Sequence, residues 1–295
     1  MMGTRQTRKR DGTISTIGII GAGTMGSGIA QVAALAKLDV ILYDSSAEVL
    51  RNVMDRIKGD LRRVVEKRIC TATEATEALS YIETTRTPGE LGSAHLLVEA
   101  AVEDLAVKKE IFRKLDTFVM PDAILASNTS SLSITSIASL TRTPESVVGM
   151  HFFNPPTMMN LVEIVRGQQT SDETVRAVAE VVHRMNKTPV VCRDTPGFIV
   201  NRVARPFYGE ALRLLGEGVA SVEEIDRIVR LEGGFRMGPF ELMDLIGIDV
   251  NYAVTTSVYE QFSQDPRFAP HPIQKRMVEG GMLGRKTKKG FYTYT

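Results

Sequence analysis

The stretch that decides the fold is Thr16-Ile17-Gly18-Ile19-Ile20-Gly21-Ala22-Gly23-Thr24-Met25-Gly26, with Val40-Ile41-Leu42-Tyr43-Asp44 downstream of it. Thr16–Ile20 is short, apolar and largely β-branched, which reads as a buried parallel strand. Met25, Ile29, Val32, Ala33 and Ala36 then recur at helical spacing, and a second strand ends at Asp44. Strand, glycine turn, helix, strand, acid: the order is that of one βαβ unit. A bare G-x-G-x-x-G is weak evidence, but this context makes it specific. The first glycine permits the tight turn, the second lets a pyrophosphate approach the backbone, and the third brings helix and strand together. The helix N-terminus offers its unpaired N–H groups to the phosphates. Gly21, Ala22, Gly23, Thr24, Met25 and Gly26 are therefore the expected cofactor turn. Asp44 stands where a carboxylate accepts hydrogen bonds from both adenosine ribose hydroxyls and repels a 2′-phosphate. With Ser45 and Ser46 next in line and no neighbouring arginine, NAD is expected over NADP. The competing reading is a purely structural glycine turn.

Outward from this unit the alternation continues. Ala47 to Ile69 spaces Val49, Leu50, Val53, Ile57, Leu61, Val64 and Val65 along one face of a long amphipathic helix. Its other face carries Arg51, Arg56, Lys58, Arg62, Arg63, Lys67 and Arg68, either a solvated basic face or an anion site for a phosphorylated substrate handle. Strands are expected at 81–84, 95–98, 124–126, 147–150, 161–165 and 190–191. A helix is expected over 106–118, with Val107, Ile111, Leu115 and Phe118 inward, and another around Val175, Val178, Val182 and Met185. The fold class is α/β, a Rossmann-type doubly wound, mostly parallel sheet over residues 16–194. Gly21, Asp44, Ser130 and His151 then share the carboxyl ends of its strands, where such sheets bind ligands.

The character changes at Asp194-Thr195-Pro196-Gly197, and no convincing strand run follows until the very end. Phe198 to Leu215 reads as a helix, Ser221-Val222-Glu223-Glu224 as a capping box opening another, Pro239 as a helical first turn and Asp249 as an N-cap. Residues 195–295 are thus expected to form a smaller all-α domain. Its apolar positions (Phe207, Leu212, Leu215, Phe240, Leu242, Leu245, Ile246) exceed what a few helices bury alone, which points to a homodimer through this domain.

Composition agrees with a globular protein: 295 residues, 43% hydrophobic and 24% charged, with a net charge of +1 that argues against bulk nucleic-acid or membrane binding. No apolar run approaches the roughly 20 residues of a spanning helix. The two cysteines, Cys70 and Cys192, lack metal-type spacing and suggest a reduced cytoplasmic setting. Residues 1–15, with Arg5, Arg8, Lys9 and Arg10, read as a flexible basic tail without a secretory apolar region.

Of four histidines, His95, His183 and His271 fit structural or exposed positions. His151 differs: it ends an apolar strand and precedes Phe152-Phe153-Asn154-Pro155-Pro156. Glu163 is a lone acid inside Leu161-Val162-Glu163-Ile164-Val165; facing inward it needs a partner, and facing outward it means nothing catalytic.

The glycine turn with Ile29-Ala30-Gln31, Glu99-Ala100-Ala101-Val102-Glu103, Ser127-Asn128-Thr129-Ser130-Ser131, His151–Pro155 and Asp194 to Arg202 together resemble the 3-hydroxyacyl-CoA dehydrogenase family. Met237-Gly238-Pro239-Phe240-Glu241-Leu242 and Gly290-Phe291-Tyr292 extend the likeness to the C-terminus, so it covers residue 15 onward. The single-function length resembles bacterial members acting on 3-hydroxybutyryl-CoA. The resemblance implies His151 as catalytic base, Glu163 as its carboxylate partner, and Ser130 and Asn201 as groups that hold the substrate oxygen. On the cofactor side it implies Glu103, Lys108, Ser130, Asn154 and Lys286 beside the turn and Asp44. It implies Lys67 as a coenzyme A contact, with Asp60 where relatives can have serine. Lys37 and Lys288 stand where glycine is usual. The implied reaction interconverts an (S)-3-hydroxyacyl-CoA and a 3-ketoacyl-CoA with NAD, requiring neither metal nor nucleophilic cysteine. The alternatives are a related hydroxyacid dehydrogenase of the lambda-crystallin type and a catalytically silent NAD-binding protein.

Overall fold

The computed structural model describes residues 13–295; the expected tail lies, up to residue 12, outside the described residues. The chain divides after Asp194 into two compact units.

The first unit runs β1 (Thr16–Ile20), α1 (Thr24–Leu35), β2 (Asp39–Tyr43), α2 (Ala47–Glu66), α3 (Ala72–Ser80), β3 (Ile82–Thr85), β4 (Leu96–Glu99), α4 (Leu105–Leu115), β5 (Ile124–Ser127), α5 (Ile134–Ala138), β6 (Val147–Phe152), β7 (Leu161–Arg166), α6 (Asp172–Arg184) and β8 (Thr188–Arg193). Its eight strands form one sheet in the order β3-β2-β1-β4-β5-β6-β7-β8. The order reverses at β1, so a crevice opens between the carboxyl ends of β1 and β4. Ile17, Ile19, Leu96, Val98 and Ala126 have no exposed surface, as strands covered on both faces require. Every neighbouring pair is parallel except β6 with β7. That one antiparallel pairing sets His151 directly opposite Glu163.

The helices show where pattern reading succeeds and where it slips. Helix α2 buries Val53, Ile57, Leu61 and Val64 and starts on Ser46, whose hydroxyl accepts the Val49 N–H. It stops at Glu66, short of Ile69, because Arg68 turns left-handed (φ 57°) and the Ile69 N–H closes on the Val64 carbonyl. Helices α3 and α5 add to the expected elements, and Thr71 and Glu74 of α3 form a full capping box that the sequence displays. In α4, Val107 is exposed, contrary to expectation. Lys108 takes the inward position, because its ammonium reaches buried Glu99 at 2.7 Å.

The second unit runs α7 (Val200–Gly216), α8 (Val222–Leu231), α9 (Pro239–Ile246), α10 (Ile248–Gln261) and α11 (Pro272–Glu279). Its core gathers Tyr208, Leu212, Ile225, Phe240, Met243, Ile248 and Met277. The capping box at Ser221 and the helical start at Pro239 are present. Asp249 is not the N-cap: Gly247 occupies that place with φ 101°, and Asp249 is the second residue of the helix, 2.6 Å from Lys286 Nζ. In place of a terminal strand there are isolated bridges, Gly284 with Lys289 and Lys289 with Thr293. Two buried aspartates organise this unit. Asp226 accepts the Phe240 and Glu241 N–H groups and the Tyr292 hydroxyl. Asp244 accepts the Phe291 and Tyr292 N–H groups and the Tyr294 hydroxyl. Burial raises the Asp226 carboxyl above its usual range despite these donors. The two C-terminal sequence motifs are thus explained as backbone donors to buried acids.

Candidate active site

The glycine turn has the geometry a dinucleotide needs. Gly21 has φ 102°, and a Cβ there would lie 2.7 Å from the Ala100 carbonyl oxygen. A Cβ on Gly26 would meet the Gly21 carbonyl oxygen at 1.7 Å, so α1 touches the turn backbone to backbone. A Cβ on Gly23 would meet nothing within 4 Å. Turn, packing and open approach are therefore divided among the three glycines as a pyrophosphate site demands. Gly23 also begins α1 with no side-chain cap, leaving the first N–H groups facing outward. The residues fit NAD.

Asp44 holds the turn as well as facing it. Its Oδ2 accepts the Ala22 N–H at 2.8 Å and its Oδ1 the Ser46 N–H at 2.9 Å. Each oxygen keeps a second lone pair for a ribose hydroxyl. No arginine neighbours Asp44 along the chain, but Arg56 reaches back from α2 to donate to the carbonyls of Ala22 and Gly23.

At the ends of β4 and β5 lies a buried ionic network. Glu99 and Lys108 are almost without exposed surface, and Ser127 Oγ donates to Glu99 at 2.6 Å. Lys108 also reaches Glu103 at 3.3 Å. Glu103 Oε1 accepts the Thr129 hydroxyl at 2.6 Å, the Ser130 N–H at 2.9 Å and the Ser130 hydroxyl at 3.3 Å. The Ser-Asn-Thr-Ser loop is thereby fastened through Glu103. Lys108 is buried behind that carboxylate and pairs with it. Glu99 and Ser127 went unassigned as site support in the sequence; an acid ending an apolar strand was the available signal.

His151 Nδ1 lies 2.7 Å from Glu163 Oε2, and both side chains are buried. Residues opposite each other on antiparallel strands point to the same face, which is how a 12-residue separation becomes contact. The carboxylate accepts, so the proton of neutral imidazole sits on Nδ1 and the basic lone pair on Nε2. Phe153 packs its ring against the imidazole, with centroids 4.5 Å apart. Asn128 Oδ1 accepts the Phe152 N–H, tying the strand end to the serine loop. Cys192 is no rival nucleophile: burial, then the charges of Glu163 and Asp194, push its thiol up to about 12. Of the other histidines, His183 is exposed and two serve the backbone. His95 Nδ1 accepts the Thr16 N–H, and His271 caps α11 through the Ile273 N–H.

Beside the turn, a cavity of about 280 Å³ is lined by Thr24, Gly28, Gln31, Asp60, Arg63, Lys67, Asn154 and the Pro155–Met158 segment. It brings Asp60 and Lys67, from α2 and its C-terminal cap, together with Asn154 from a distant part of the chain. Arg63 pairs with Asp60 at 3.1 Å, so that acid presents little net negative charge to a phosphate. Lys67 Nζ lies 3.9 Å from Met158 Sδ. The basic face of α2 is accordingly divided: Lys58 pairs with Asp55, Arg56 serves the turn, and Arg63 and Lys67 face the cavity.

In the second unit, Asn201 lies in the first turn of α7. Buried Arg205 donates to the carbonyls of Asn201 and Asn251 and to Thr255 Oγ1, which holds that turn to α10. Burial lowers the Arg205 guanidinium to about 10, still charged at neutral pH. Lys286 is engaged with Asp249.

The family profile for the 3-hydroxyacyl-CoA dehydrogenase NAD-binding domain matches residues 16–195, and that for its C-terminal domain matches residues 197–294. The chain belongs to the 3-hydroxyacyl-CoA dehydrogenase family. Its first unit is that family's NAD-binding domain. Among its relatives, 3-hydroxyadipyl-CoA dehydrogenase of Escherichia coli is 47% identical over 95% of this chain, which spans 59% of that protein's length. The 3-hydroxybutyryl-CoA dehydrogenase of Bradyrhizobium diazoefficiens is 44% identical over 95% of this chain and 96% of its own length. The crystal structure of (S)-3-hydroxybutyryl-CoA dehydrogenase from Ralstonia eutropha superposes with a TM-score of 0.91 at 40% identity, covering 96% of this chain and 100% of that one. No helix among the described residues is long and apolar enough to cross a membrane.

Proposed function

We propose that the chain interconverts an (S)-3-hydroxyacyl-CoA and the corresponding 3-ketoacyl-CoA with NAD, His151 serving as general base in oxidation and general acid in reduction. The 2.7 Å contact between His151 and Glu163 carries this reading. Bound NAD supplies the acceptor for the hydride leaving C3. His151 Nε2 takes the hydroxyl proton as the C3–O bond becomes a carbonyl. Glu163, buried and opposite in charge, fixes the Nδ1–H tautomer and stabilises the imidazolium that results. Ser130 and Asn201 hold the substrate oxygen, with Glu103 orienting the Ser130 loop. Lys67, which lines the cavity, receives the coenzyme A handle, and Asn154 and Lys286 complete the cofactor contacts.

The relatives' names frame the acyl group, and a panel of C4 to C16 3-hydroxyacyl-CoAs with 3-hydroxyadipyl-CoA resolves it. Turnover of a C4 or six-carbon dicarboxyl thioester is expected; activity only on a free hydroxyacid would sink the proposal. NAD should be used more efficiently than NADP in the same assay, and parity would mean that Asp44 does not face the ribose. Self-association through the second unit is part of the proposal. Val203 and Leu231 are 70% exposed and Phe235 54% exposed, an apolar display of the kind that marks contact surfaces. Light scattering should report a dimer, and Leu231→Glu should weaken it.

A further inference from the structure

We propose that Arg56 is a cofactor-positioning residue of this site: it fastens the glycine turn from the α2 side and places a fixed positive charge at the adenosine-diphosphate end of the bound dinucleotide. The proposal rests on the NAD-binding reading of the first unit and concerns a residue that the glycine motif does not contain.

Four observations carry it. Arg56 donates to the Ala22 carbonyl and, at 3.2 Å, to the Gly23 carbonyl. Those are the two turn residues between the glycine of the tight bend and the start of α1. The Ala22 N–H is at the same time held by Asp44 at 2.8 Å. Both polar ends of one turn residue are therefore clamped, one by an acid from the end of β2 and the other by a base from the middle of α2. Gly23, the second residue Arg56 grips, borders the open space in which a pyrophosphate would sit. Two other basic residues of α2 behave differently: Lys58 and Arg63 are paired with acids on their own helix, whereas Arg56 is directed at backbone oxygens of the turn.

The physical consequence has two parts. Helix α1 alone offers a partial positive charge to a phosphate, and Asp44, on the Ala22 N–H, adds a full negative charge to the same turn. Arg56 offsets that carboxylate where the phosphates approach. Its hydrogen bonds to the two carbonyls also pre-order the turn, so less ordering remains to be done when the dinucleotide binds. An exposed charge and two charge-assisted bonds together are worth about three- to tenfold in affinity.

The test uses the intact protein without substrate. NADH and ADP-ribose are titrated into wild type, Arg56→Met and Arg56→Lys at low and high salt, by fluorescence and calorimetry, with thermal melts of the apo forms alongside. Arg56→Met should weaken NADH and ADP-ribose by the same factor, about three- to tenfold, and flatten the salt dependence of binding. Arg56→Lys should restore the salt dependence. Unchanged affinity in Arg56→Met would overturn the proposal, as would weaker binding with an unaltered salt dependence, which would make Arg56 a prop of the fold alone. Wild type failing to bind NADH would instead overturn the cofactor reading, and this proposal with it.

Discussion

The two chemical ends of the first unit are built in opposite ways. At the glycine turn, backbone does the work: N–H groups, a positive φ and the absence of a Cβ make the surface, and the side chains of Asp44 and Arg56 hold it in place. At the β6–β7 pair, the backbone merely aligns two strands, and the side chains of His151 and Glu163 are the chemistry. Backbone sites bind and tolerate little added volume; side-chain sites react and tolerate little change in proton affinity. Damage to the first should appear in affinity, and damage to the second in turnover.

The largest effect should therefore come from His151→Gln, which keeps NADH affinity yet lowers kcat by about 10²- to 10⁴-fold, because an amide cannot accept the proton. Glu163→Gln should lower kcat by about 10- to 10³-fold, the value of an opposite charge beside the forming imidazolium. The double variant should cost little more than His151→Gln, since the carboxylate acts through the base. Multiplying losses in single-turnover assays would make Glu163 independent of His151. Fluorescence titration and thermal melts split the other end internally. Gly23→Ala should leave the apo protein as stable as wild type while weakening NADH by more than about tenfold, as its Cβ enters the phosphate space. Gly26→Ala should instead destabilise the apo fold, by about 1–3 kcal/mol or more, since α1 must move off the turn. If both variants lose stability alike, Gly23 is packed rather than open.

A smaller effect is expected at the cavity. Lys67→Glu should raise KM for a coenzyme A thioester by roughly tenfold, the scale of a charge-assisted contact, and spare a truncated pantetheine thioester. Equal losses on both substrates would move Lys67 from binding to folding. The smallest should come from Lys288→Gly. Lys288 is held at φ 57°, and glycine relieves that strain at an entropic cost of its own, leaving a gain of about 1 kcal/mol or less in thermal stability. No gain would mean that the side chain contributes more than its backbone costs.

Sequence by itself determined the βαβ unit and the glycine turn, because each depends on neighbours within a few residues. Strand periodicity, glycine spacing and capping boxes are local rules, and the left-handed conformations of Lys37 and Lys288 follow where glycine is usual. Candidate residues were legible as types in suggestive places. Whether Glu163 faced inward or outward was not, because a strand's alternation leaves the buried face to its partners, and only the antiparallel pairing of β7 with β6 decided it. The same holds for Lys108, whose burial depends on Glu99 from another element, and for Arg56, separated by 34 residues from the carbonyl it holds. Long side chains reach across a fold in directions that no sequence spacing encodes. Tertiary structure alone chose their partners.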